Sequence, residues 1–309
     1  MTGSWTAVVN PSAGRGRTRK LLPRLRAAFE ISSLEVDVVV SVDAADARRL
    51  ASAALDAGRG VVACGGDGTV SDLAGLAAEA GGVLGIVPTG SGNDFARHLG
   101  IDSRHPLDAV GVLERGRIGA VDLGRAELTG DNGGTTAWFT SVANAGFDSE
   151  ANRWANTVQW ATGTTLYVLA MLRTLLTYHP QRFRLTIDGV SHELPAWLVA
   201  VGNTRGYAGG MLITPGAELD DGELDVCVVG PVSRPGFIRS FPRVFRGTHT
   251  SHPAVDTFRG KVIELEAPDA LVELYGSGER IGPLPARMEA VPAAVRVMVP
   301  PDAPVPGVR

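Results

Sequence analysis

The chain has 309 residues, of which 44% are hydrophobic and 20% charged, and its formal net charge is −4. This length and composition predict a globular protein of two domains, and the acidic balance argues against a nucleic acid partner, because no global basic field would attract one. The sequence shows no basic-then-apolar leader and no apolar run of roughly 18 residues, so we expect neither export nor a membrane span.

The first 125 residues alternate between strand and helix patterns. The predicted strands are Trp5–Asn10, Glu35–Ser41, Gly60–Cys64 and Gly82–Val87, and the predicted helices are Thr18–Glu30, Ala44–Ala57 and Val70–Ala80. Unbroken apolar strands separated by helices of this length are typical of a doubly wound parallel sheet with helices on both faces. Residues 1–125 are therefore predicted to form an α/β domain.

Three glycine-rich loops follow strands of this predicted sheet, namely Pro11–Gly16, Gly65–Thr69 and Pro88–Asp94. In sheets of this kind, ligands bind beyond the carboxyl ends of the strands. We therefore expect the three loops to meet at one edge of the sheet and to form a binding site there.

The composition changes after residue 125, where shorter β-like runs are separated by Gly, Pro and Asp. These runs are Trp138–Ala143, Phe183–Ile187, Ala196–Gly202, Leu224–Val229, Lys261–Glu266, Val272–Tyr275 and Val295–Val299. They predict an antiparallel second domain over residues 126–290, and a C-terminal strand at about 291–300 is expected to return to the first domain. A predicted helical insert over Asn152–Tyr178 interrupts the runs. The two cysteines, Cys64 and Cys227, lie in apolar strand-like runs, which indicates reduced core residues of a cytoplasmic protein.

The loop Gly65–Thr69 (Gly-Gly-Asp-Gly-Thr) comes directly after a buried strand and directly before a helix. Glycines let the backbone approach an anion closely, and the helix N-terminus presents unpaired N–H groups and the positive end of its dipole. A carboxylate repels bare phosphate, so Asp67 is explained by a divalent cation between the two, as Mg²⁺ usually lies. The loop predicts a metal–nucleotide site, and the alternative is a tight structural turn.

The first loop, within Asn10–Arg17, offers small residues and backbone amides to phosphates. It is not a Walker A loop, because no Gly-Lys-Ser/Thr follows, and it lacks the third glycine of a dinucleotide-binding fingerprint. A solvated basic helix start explains it equally well. Ser41, at the end of the second predicted strand, is a further polar candidate at the same edge, or only a helix N-cap.

The third loop continues into a helix over Pro88–Ala96. Ser91 is a candidate hydrogen-bonding partner of a phosphate or a ribose, and Asn93 and Asp94 are candidate helix caps. Asp94 lies 27 residues after Asp67, on the neighbouring strand end, so the two carboxylates are suited to share one ion.

The motifs Asn-Pro-x-x-Gly, Gly-Gly-Asp-Gly-Thr and Pro-x-Gly-Ser-Gly-Asn-Asp-Phe-Ala, in this order and spacing, resemble the diacylglycerol kinase catalytic family. That family includes the soluble bacterial lipid kinases and the sphingosine and ceramide kinases. The likeness continues through Asn144–Asp148, Gly202–Asn203, Gly209–Met211 and Leu219–Asp225, and so covers nearly the whole chain. Gly-Gly-Asp-Gly-Thr alone also occurs in NAD kinases and resembles the phosphofructokinase nucleotide loop, but the other motifs and the second domain favour lipid kinases.

The resemblance implies a phosphofructokinase- and NAD-kinase-like nucleotide domain, a C-terminal antiparallel β-sandwich and an active site in the cleft between them. It implies that ATP lies against Asn10, Pro11, Ser12, Ala13, Gly14, Ser41, Gly65, Gly66, Asp67, Gly68, Thr69, Val70, Ser71 and Ser91. It also implies that Asp67 and Asp94 organise a catalytic Mg²⁺.

The resemblance further implies a structural Mg²⁺ held by Asp221 and the backbone carbonyls of Glu218 and Glu223. One hard carboxylate with carbonyls and water suits this ion. For Asp220–Asp225, the alternative is a β-turn in which Asp and Gly serve local bonding only.

One segment departs from the family pattern. Kinases of this family carry Asp-Gly-Glu near the C-terminus, and this segment supplies the base for the acceptor hydroxyl. Here it is Ser277-Gly278-Glu279, and a serine cannot accept a proton as a carboxylate does, so Glu279 is the expected base. Phosphoryl transfer depends mainly on positioning and charge neutralisation, so an enzyme with Ser277 in place of the aspartate can still be active, at a lower rate. The alternative is a nucleotide-binding regulatory protein without turnover.

The resemblance implies transfer of the γ-phosphoryl group of ATP to the hydroxyl of a lipid, first of all diacylglycerol, to give phosphatidic acid. Another acceptor lipid is the nearest alternative, because pocket shape decides the acceptor and is not visible in a sequence. A lipid with two acyl chains lies in a bilayer, so a transient peripheral membrane contact is expected. The apolar residues of 151–180 are either a core helix or a face for that contact. Some members of the family form homodimers, so a homodimer is a further expectation.

Overall fold

The structure, a computed structural model, describes residues 3–130, 134–147, 149–151 and 173–305. These residues fall into two units. The first unit is built from residues up to Leu123, from Leu219–Asp221 and from Val291 onward. The second is built from Gly124–Glu218 and Gly222–Ala290. The chain therefore leaves the first unit near residue 123, returns to it briefly at Leu219–Asp221 and comes back to it again near residue 291.

Parallel strands form the centre of the first unit. Its elements are β1 (Ser4–Val9), α1 (Ala13–Ile31), β2 (Glu35–Val40), α2 (Ala44–Asp56), β3 (Gly60–Gly65), α3 (Asp67–Glu79), β4 (Val83–Pro88), α4 (Asp94–His98), a 3₁₀ turn (Pro106–Asp108) and α5 (Ala109–Arg115). The strands lie in the order β2-β1-β3-β4 and are all parallel. Every residue of β3 and β4 is buried, so both faces of the sheet are covered, which explains why these strands are apolar without a break.

The last strand of the chain continues this sheet. β16 (Ala286–Val299) is 14 residues long, and its Arg296 and Val297 lie parallel to Val83 and Leu84 of β4. The predicted doubly wound parallel sheet is thereby confirmed. The predicted strands and helices of the first 100 residues agree with the structure except at their ends.

The second unit consists mainly of antiparallel strands. They are the end of β5 (Arg117–Leu128), β6 (Thr136–Phe139), β7 (Val142–Gly146), β8 (Gln181–Ile187), β9 (Val190–Ala196), β10 (Leu198–Gly202), β11 (Leu224–Val229), β12 (Val255–Gly260), β13 (Val262–Glu266), β14 (Glu273–Gly276), β15 (Glu279–Pro283) and the start of β16. One sheet has the order β12-β11-β10-β7-β14-β15. In the other, β16, β13, β8 and β9 are neighbours, and Ile263 lies opposite both Ile187 and Met288.

Apolar side chains from both sheets fill the core between them. Leu185 and Ile263 come from one sheet, Val226 and Leu274 come from the other, and all four are buried. The two sheets therefore form the predicted β-sandwich. The opposite face of the six-stranded sheet carries a second apolar cluster, which includes the fully buried Phe147.

A short irregular segment packs against this second cluster. It consists of α6 (Arg234–Ser240) and two 3₁₀ turns, Phe241–Arg246 and Thr248–Ser251. Phe237 and Phe241 pack against the cluster from this segment. The two prolines at the starts of α6 and of the first turn suit positions whose N–H has no partner within the helix.

Several strands of the second unit differ from the prediction. The run Trp138–Ala143, predicted as one strand, is divided at Thr140 and Ser141 between β6 and β7. The sequence does not predict β5, β9, β12 or β15. In β9 and β15 polar residues interrupt the apolar ones and most residues are at least partly exposed, so these edge strands lack an apolar run.

The predicted helix Asn152–Tyr178 lies outside the described residues except for 173–178, of which 173–177 are helical. Within the described ranges, none of the helices combines the length and the hydropathy that crossing a bilayer requires.

Candidate active site

The first glycine-rich loop is bonded to the second at the carboxyl ends of β1 and β3. The backbone N–H of Asn10 donates to the carbonyl of Cys64 at 3.0 Å, which continues the pairing of the two strands. The Asn10 side-chain amide then donates to the Thr69 hydroxyl at 3.0 Å. The Asn10 amide oxygen accepts from the N–H of Ser12 at 3.0 Å. One side chain therefore orders its own loop and ties it to the start of α3.

The first loop is also in contact with the third. Gly14, Arg15 and Gly16 all have positive φ, so the true helical turns of α1 begin only after them. A Cβ on Gly14 would lie 2.4 Å from the carbonyl oxygen of Thr89, so only glycine allows this approach. Beside it, the buried Thr18 hydroxyl donates to the Thr89 hydroxyl at 2.7 Å.

The second and third loops touch backbone to backbone. A Cβ on Gly90 would lie 2.3 Å from the Cα of Gly66. The N–H groups of Thr89 and Gly90 both donate to the carbonyl of Gly65, at 2.9 and 3.1 Å. The predicted convergence of the three loops at one edge of the sheet is confirmed.

Asp67 is the residue that caps α4. Its Oδ2 accepts from the N–H of Asn93 at 2.7 Å, and its Oδ1 accepts from the N–H of Asp94 at 2.6 Å. Asn93 occupies the predicted N-cap position of α4 and Asp94 is the first helical residue, but the Asn93 side chain makes no capping hydrogen bond. Asn93 is left-handed (φ 56°) and instead bonds through both ends of its amide to the backbone of Gly90, at 2.9 Å each.

The carboxylates of Asp67 and Asp94 come together around Gly92. A Cβ on Gly92 would lie 2.5 Å from Oδ2 of Asp67 and 3.1 Å from Oδ2 of Asp94. Burial raises the pKa of the Asp67 carboxyl above its ordinary value, and the N–H groups of Asp94 and Asn93 oppose this rise. Two close, largely buried carboxylates form a donor set that suits Mg²⁺.

Arg97 is a site residue that the sequence analysis missed. Its guanidinium pairs with the Asp94 carboxylate and donates to the carbonyl of Gly92. The signal in the sequence was the spacing of three residues between an acid and an arginine on one helix, which brings the two side chains to the same face.

The N-terminus of α3 points into the same junction. Gly66 is its N-cap and has no side chain that could cap the N–H groups of the first turn. Val70 and Ser71 follow in the first turns and are buried. The backbone N–H groups of this turn and the end of the helix dipole are therefore oriented toward the glycine loops, as in anion-binding sites.

Ser41 and Ser91 differ in their surroundings. The buried Ser41 donates through Oγ to the carbonyl of Val9 at 3.2 Å, beside the first loop. Ser41 is not a helix N-cap, because Asp43 caps α2 by accepting from the N–H of Asp46. Ser91 is exposed at the tip of the third loop.

Both ends of the acidic turn Glu218–Leu224 are bonded to neighbouring elements. The carbonyl of Leu219 accepts from the N–H of Asp122 at 2.7 Å. The Glu223 carboxylate lies 3.4 Å from the Arg259 guanidinium. No group of three His, Cys, Asp or Glu side chains within the described residues is arranged to hold an ion. The predicted set uses one carboxylate, Asp221, and two carbonyls, so it stays a prediction.

Ser277 has a structural role that the sequence did not reveal. It is buried, it has positive φ (49°), and its Oγ accepts from the N–H groups of Thr140 and Ser141 at 3.1 and 3.2 Å. Two bends therefore meet at one hydroxyl, the bend between β6 and β7 and the bend between β14 and β15. Glu279 begins β15, is exposed, and pairs with Gly276.

The structure thus brings together Asn10–Gly14, Ser41, Gly65–Ser71, Ser91 and Asp94 in the first unit, to which Asp221 also belongs. Glu218, Glu223 and Glu279 belong to the second unit. Of the motif Asn144–Asp148, Asp148 lies outside the described residues, and Asn144 is buried in β7.

Comparison with known proteins shows that each half of the chain matches a known domain family. Residues 4–126 match the diacylglycerol kinase catalytic domain, and residues 141–299 match the YegS C-terminal NAD kinase beta sandwich-like domain. The protein named "Diacylglycerol kinase" from Mycobacterium tuberculosis (strain ATCC 25618 / H37Rv) is 39% identical over 301 residues, which cover 96% of each chain. A protein from Pseudomonas savastanoi pv. phaseolicola named "Probable lipid kinase YegS-like" is 34% identical over 280 residues, covering 88% of this chain and 86% of that one.

A solved structure is similar to this chain over almost the full length of both proteins. A diacylglycerol kinase from Bacillus anthracis strain Sterne has a TM-score of 0.73 and 25% identity, and the match covers 97% of this chain and 98% of that one. The loops that converge here lie within the residues that match the catalytic domain, and most of the antiparallel unit lies within those that match the sandwich domain. The chain belongs to the diacylglycerol kinase family and is a lipid kinase.

Proposed function

We propose that this lipid kinase transfers the γ-phosphoryl group of ATP to the hydroxyl of diacylglycerol and so produces phosphatidic acid. The observation that carries the proposal is the junction of three glycine-rich loops at which Asp67 and Asp94 both flank Gly92. Kinases of this family use ATP, and the Mycobacterium tuberculosis relative is named a diacylglycerol kinase, which favours the same acceptor here.

In this proposal ATP lies along the loop junction. The N–H groups at the start of α3, over Gly66–Thr69, donate to its phosphates, and the close backbone approach at Gly14 and Gly90 holds the three loops against one another. Asn10 is held in place by Thr69 and so presents the first loop in one conformation. The exposed hydroxyl of Ser91 is accessible to a phosphate or a ribose.

Asp67 and Asp94 are the proposed holders of a catalytic Mg²⁺. Asp67 accepts from the N–H groups of Asn93 and Asp94, and Asp94 pairs with Arg97. A carboxylate oxygen offers two lone pairs, so an oxygen that accepts a hydrogen bond can also bind an ion. When bound, the ion neutralises phosphate charge that develops during transfer. Arg97 keeps the Asp94 side chain oriented toward Gly92 and offsets part of the negative charge.

Glu279 is the proposed acceptor of the proton of the lipid hydroxyl. It is exposed at the start of β15, so its carboxylate is accessible to solvent and ligands. The rival view, a regulatory protein without turnover, rests on the serine at position 277. That hydroxyl already makes the bonds to Thr140 and Ser141 that hold the adjoining bends, so the segment that carries Glu279 keeps its anchor.

Further parts of the proposal concern the surroundings of the reaction. We propose a structural Mg²⁺ at Asp221 with the carbonyls of Glu218 and Glu223. The Glu223 carboxylate is already paired with Arg259, which favours the carbonyl of that residue as the ligand.

A cytoplasmic location, transient contact with the membrane and a homodimer are also proposed. The membrane contact follows because the acceptor lies in a bilayer, and the homodimer is proposed because some members of the family form dimers.

The decisive experiment measures transfer of a radiolabelled γ-phosphate from ATP to a panel of lipids in mixed micelles with Mg²⁺. Label in diacylglycerol supports the proposal, whereas label only in another lipid or in NAD would assign a different acceptor. Binding of ATP without any transfer would favour a regulatory protein.

A pair of matched variants on α3 connects this activity to the loop junction. Asp67→Asn removes the carboxylate beside Gly92 and should lower turnover by roughly two or more orders of magnitude. Asp72→Asn alters an exposed aspartate of the same helix, whose partner is Arg48 at 3.2 Å, and should leave turnover nearly unchanged. Equal effects of the two changes would contradict the assignment of Asp67.

A further inference from the structure

One face of the second unit combines exposed apolar side chains with arginines. It is formed by α6, by the two 3₁₀ turns that follow it, and by the helical stretch 173–177. We call it the arginine–aromatic surface, and its exposed members are Leu176, Ile238, Arg239, Arg243, Phe245 and Arg246.

The apolar members of this surface are strongly exposed. Leu176 is 73% exposed, Ile238 54% and Phe245 51%. Single exposed apolar residues are ordinary on protein surfaces, but several grouped with cations indicate an interaction site.

Hydrogen bonds join the two parts of the surface. Arg234, in the first turn of α6, donates through Nε to the carbonyl of Leu175 at 2.7 Å and through its guanidinium to the carbonyl of Leu176 at 3.3 Å. Ile238 lies one turn further along α6, on the side of Arg234. The exposed Leu176 and Ile238 therefore belong to one continuous patch.

The segment has an inner face and an outer face. On the inner face, Phe237, Phe241 and Val244 line an apolar cavity over the six-stranded sheet. Phe245 joins this row through a ring contact with Phe241, whose centroid is 5.8 Å away, yet half of its surface remains open. The inner aromatic residues supply the packing of the segment, so the outer apolar residues are not needed for it.

The charge of the segment is opposite to that of the whole chain. Residues 233–254 include four arginines and two histidines but neither Asp nor Glu, in a chain of net charge −4. Arg239, Arg243 and Arg246 are exposed, and Arg243 donates to a neutral partner, the Ser251 hydroxyl, at 3.3 Å. Such a local cationic field attracts an anionic surface.

We propose that the arginine–aromatic surface docks this enzyme reversibly on bilayers that contain anionic phospholipids. Leu176, Ile238 and Phe245 enter the boundary between head groups and acyl chains, and the arginines bind lipid phosphates. This inference rests on the proposed function, since a diacylglycerol acceptor lies in a bilayer. A second copy of the chain fits less well, because a two-fold interface would bring arginines against arginines without acidic partners.

Co-sedimentation with vesicles tests the proposal on the full chain. Vesicles of pure phosphatidylcholine are compared with vesicles of phosphatidylcholine and phosphatidylglycerol, and we expect firm binding only to the second kind. Arg239→Gln/Arg243→Gln/Arg246→Gln should weaken that binding roughly a hundredfold. Ile238→Ser/Phe245→Ser should weaken it about tenfold or more.

Two control variants have matched chemistry elsewhere on the surface. Arg24→Gln/Arg26→Gln/Arg104→Gln removes three exposed arginines, and Ile31→Ser/Val190→Ser removes two exposed apolar residues. Both should bind anionic vesicles as the unaltered protein does. If the controls weaken binding as much as the test variants, or if the test variants bind normally, the proposal is overturned.

Two further measurements separate docking from catalysis and from self-association. Turnover on a water-soluble short-chain diacylglycerol should survive both test variants, and its loss there would overturn the docking role. If the unaltered protein binds anionic vesicles through this surface but phosphorylates no diacylglycerol, the proposed reaction fails while the docking surface stands. If the variants turn a dimer into a monomer in sedimentation velocity without changing vesicle binding, the surface is an interface between copies and the proposal fails.

Discussion

Replacing Gly92 by alanine tests whether the two carboxylates of the loop junction must keep their present arrangement. The added Cβ would lie 2.5 Å from Oδ2 of Asp67 and 3.1 Å from Oδ2 of Asp94. Gly92 does not have positive φ, so alanine brings a steric change without the strain of a left-handed residue. The substitution therefore acts on the carboxylates alone.

The size of the effect follows from the contacts of Asp67. To restore an ordinary contact distance, its carboxylate has to move by about 1 Å. That movement strains the bonds of 2.7 and 2.6 Å that it accepts from the N–H groups of Asn93 and Asp94. Loss of a hydrogen bond to a charged group costs about 1.5–3 kcal/mol of the free energy of unfolding. A displacement of this size in a catalytic group lowers turnover on the order of a hundredfold.

The assay is turnover on diacylglycerol in mixed micelles as a function of Mg²⁺ concentration, together with the midpoint of thermal unfolding. We expect lower kcat and a higher Mg²⁺ requirement in Gly92→Ala. Gly130→Ala is the control, because the nearest atom to its Cβ among the described residues would be Cδ of Pro285, at 3.1 Å, in a turn of the second unit. Near-native kcat with an unchanged Mg²⁺ dependence in Gly92→Ala would refute the reasoning that places an ion at these carboxylates.

Three further changes probe other parts of the molecule. Glu279→Gln should lower kcat by roughly two to four orders of magnitude while ATP binding, followed by calorimetry, stays unchanged; near-native kcat would remove Glu279 as the base. Ser277→Ala leaves the N–H groups of Thr140 and Ser141 without their acceptor and should lower the free energy of unfolding by about 1–3 kcal/mol in urea titrations, whereas Ser277→Asp should retain both bonds. Equal stability of Ser277→Ala and the unaltered protein would contradict this anchoring role. Burial lowers the pKa of His249 below its ordinary 6.5, so the unfolded state binds the proton first, and stability should fall as the pH drops below about 6.5. His249→Gln, which keeps a donor toward the carbonyl of Ile213, should flatten that part of the unfolding-midpoint profile, and an unchanged slope would assign the proton to another group.

The α/β half of the fold was predictable because its strands are buried on both faces. Such strands appear in the sequence as unbroken apolar runs, as in β3 and β4, and each run ends at a glycine-rich loop. Parallel strands then require the loops to share one edge, so the junction followed from chain order alone. The edge strands β9 and β15 were missed because their polar residues face solvent, and only pairing with a neighbour defines them.

Within the candidate site, the residue types were predictable but some of their roles were not. Asp67 was recognised as an acid among glycines, yet its bonds to Asn93 and Asp94 depend on the left-handed backbone at Asn93, which no local pattern indicates. From the sequence, Ser277 was interpreted only as a serine in place of the family's aspartate. Its two hydrogen bonds come from residues more than 130 positions earlier in the chain, so they exist only after the sandwich has formed.

The position of β16 has a consequence for folding during synthesis of the protein. Residues 296–297, which flank β4, emerge from the ribosome more than 200 residues after β4 itself. Until they emerge, the nascent N-terminal sheet has an unpaired edge that can recruit foreign strands. A nonsense codon shortly before residue 290 would leave that border open permanently, and a shortened product of this kind should accumulate as insoluble material.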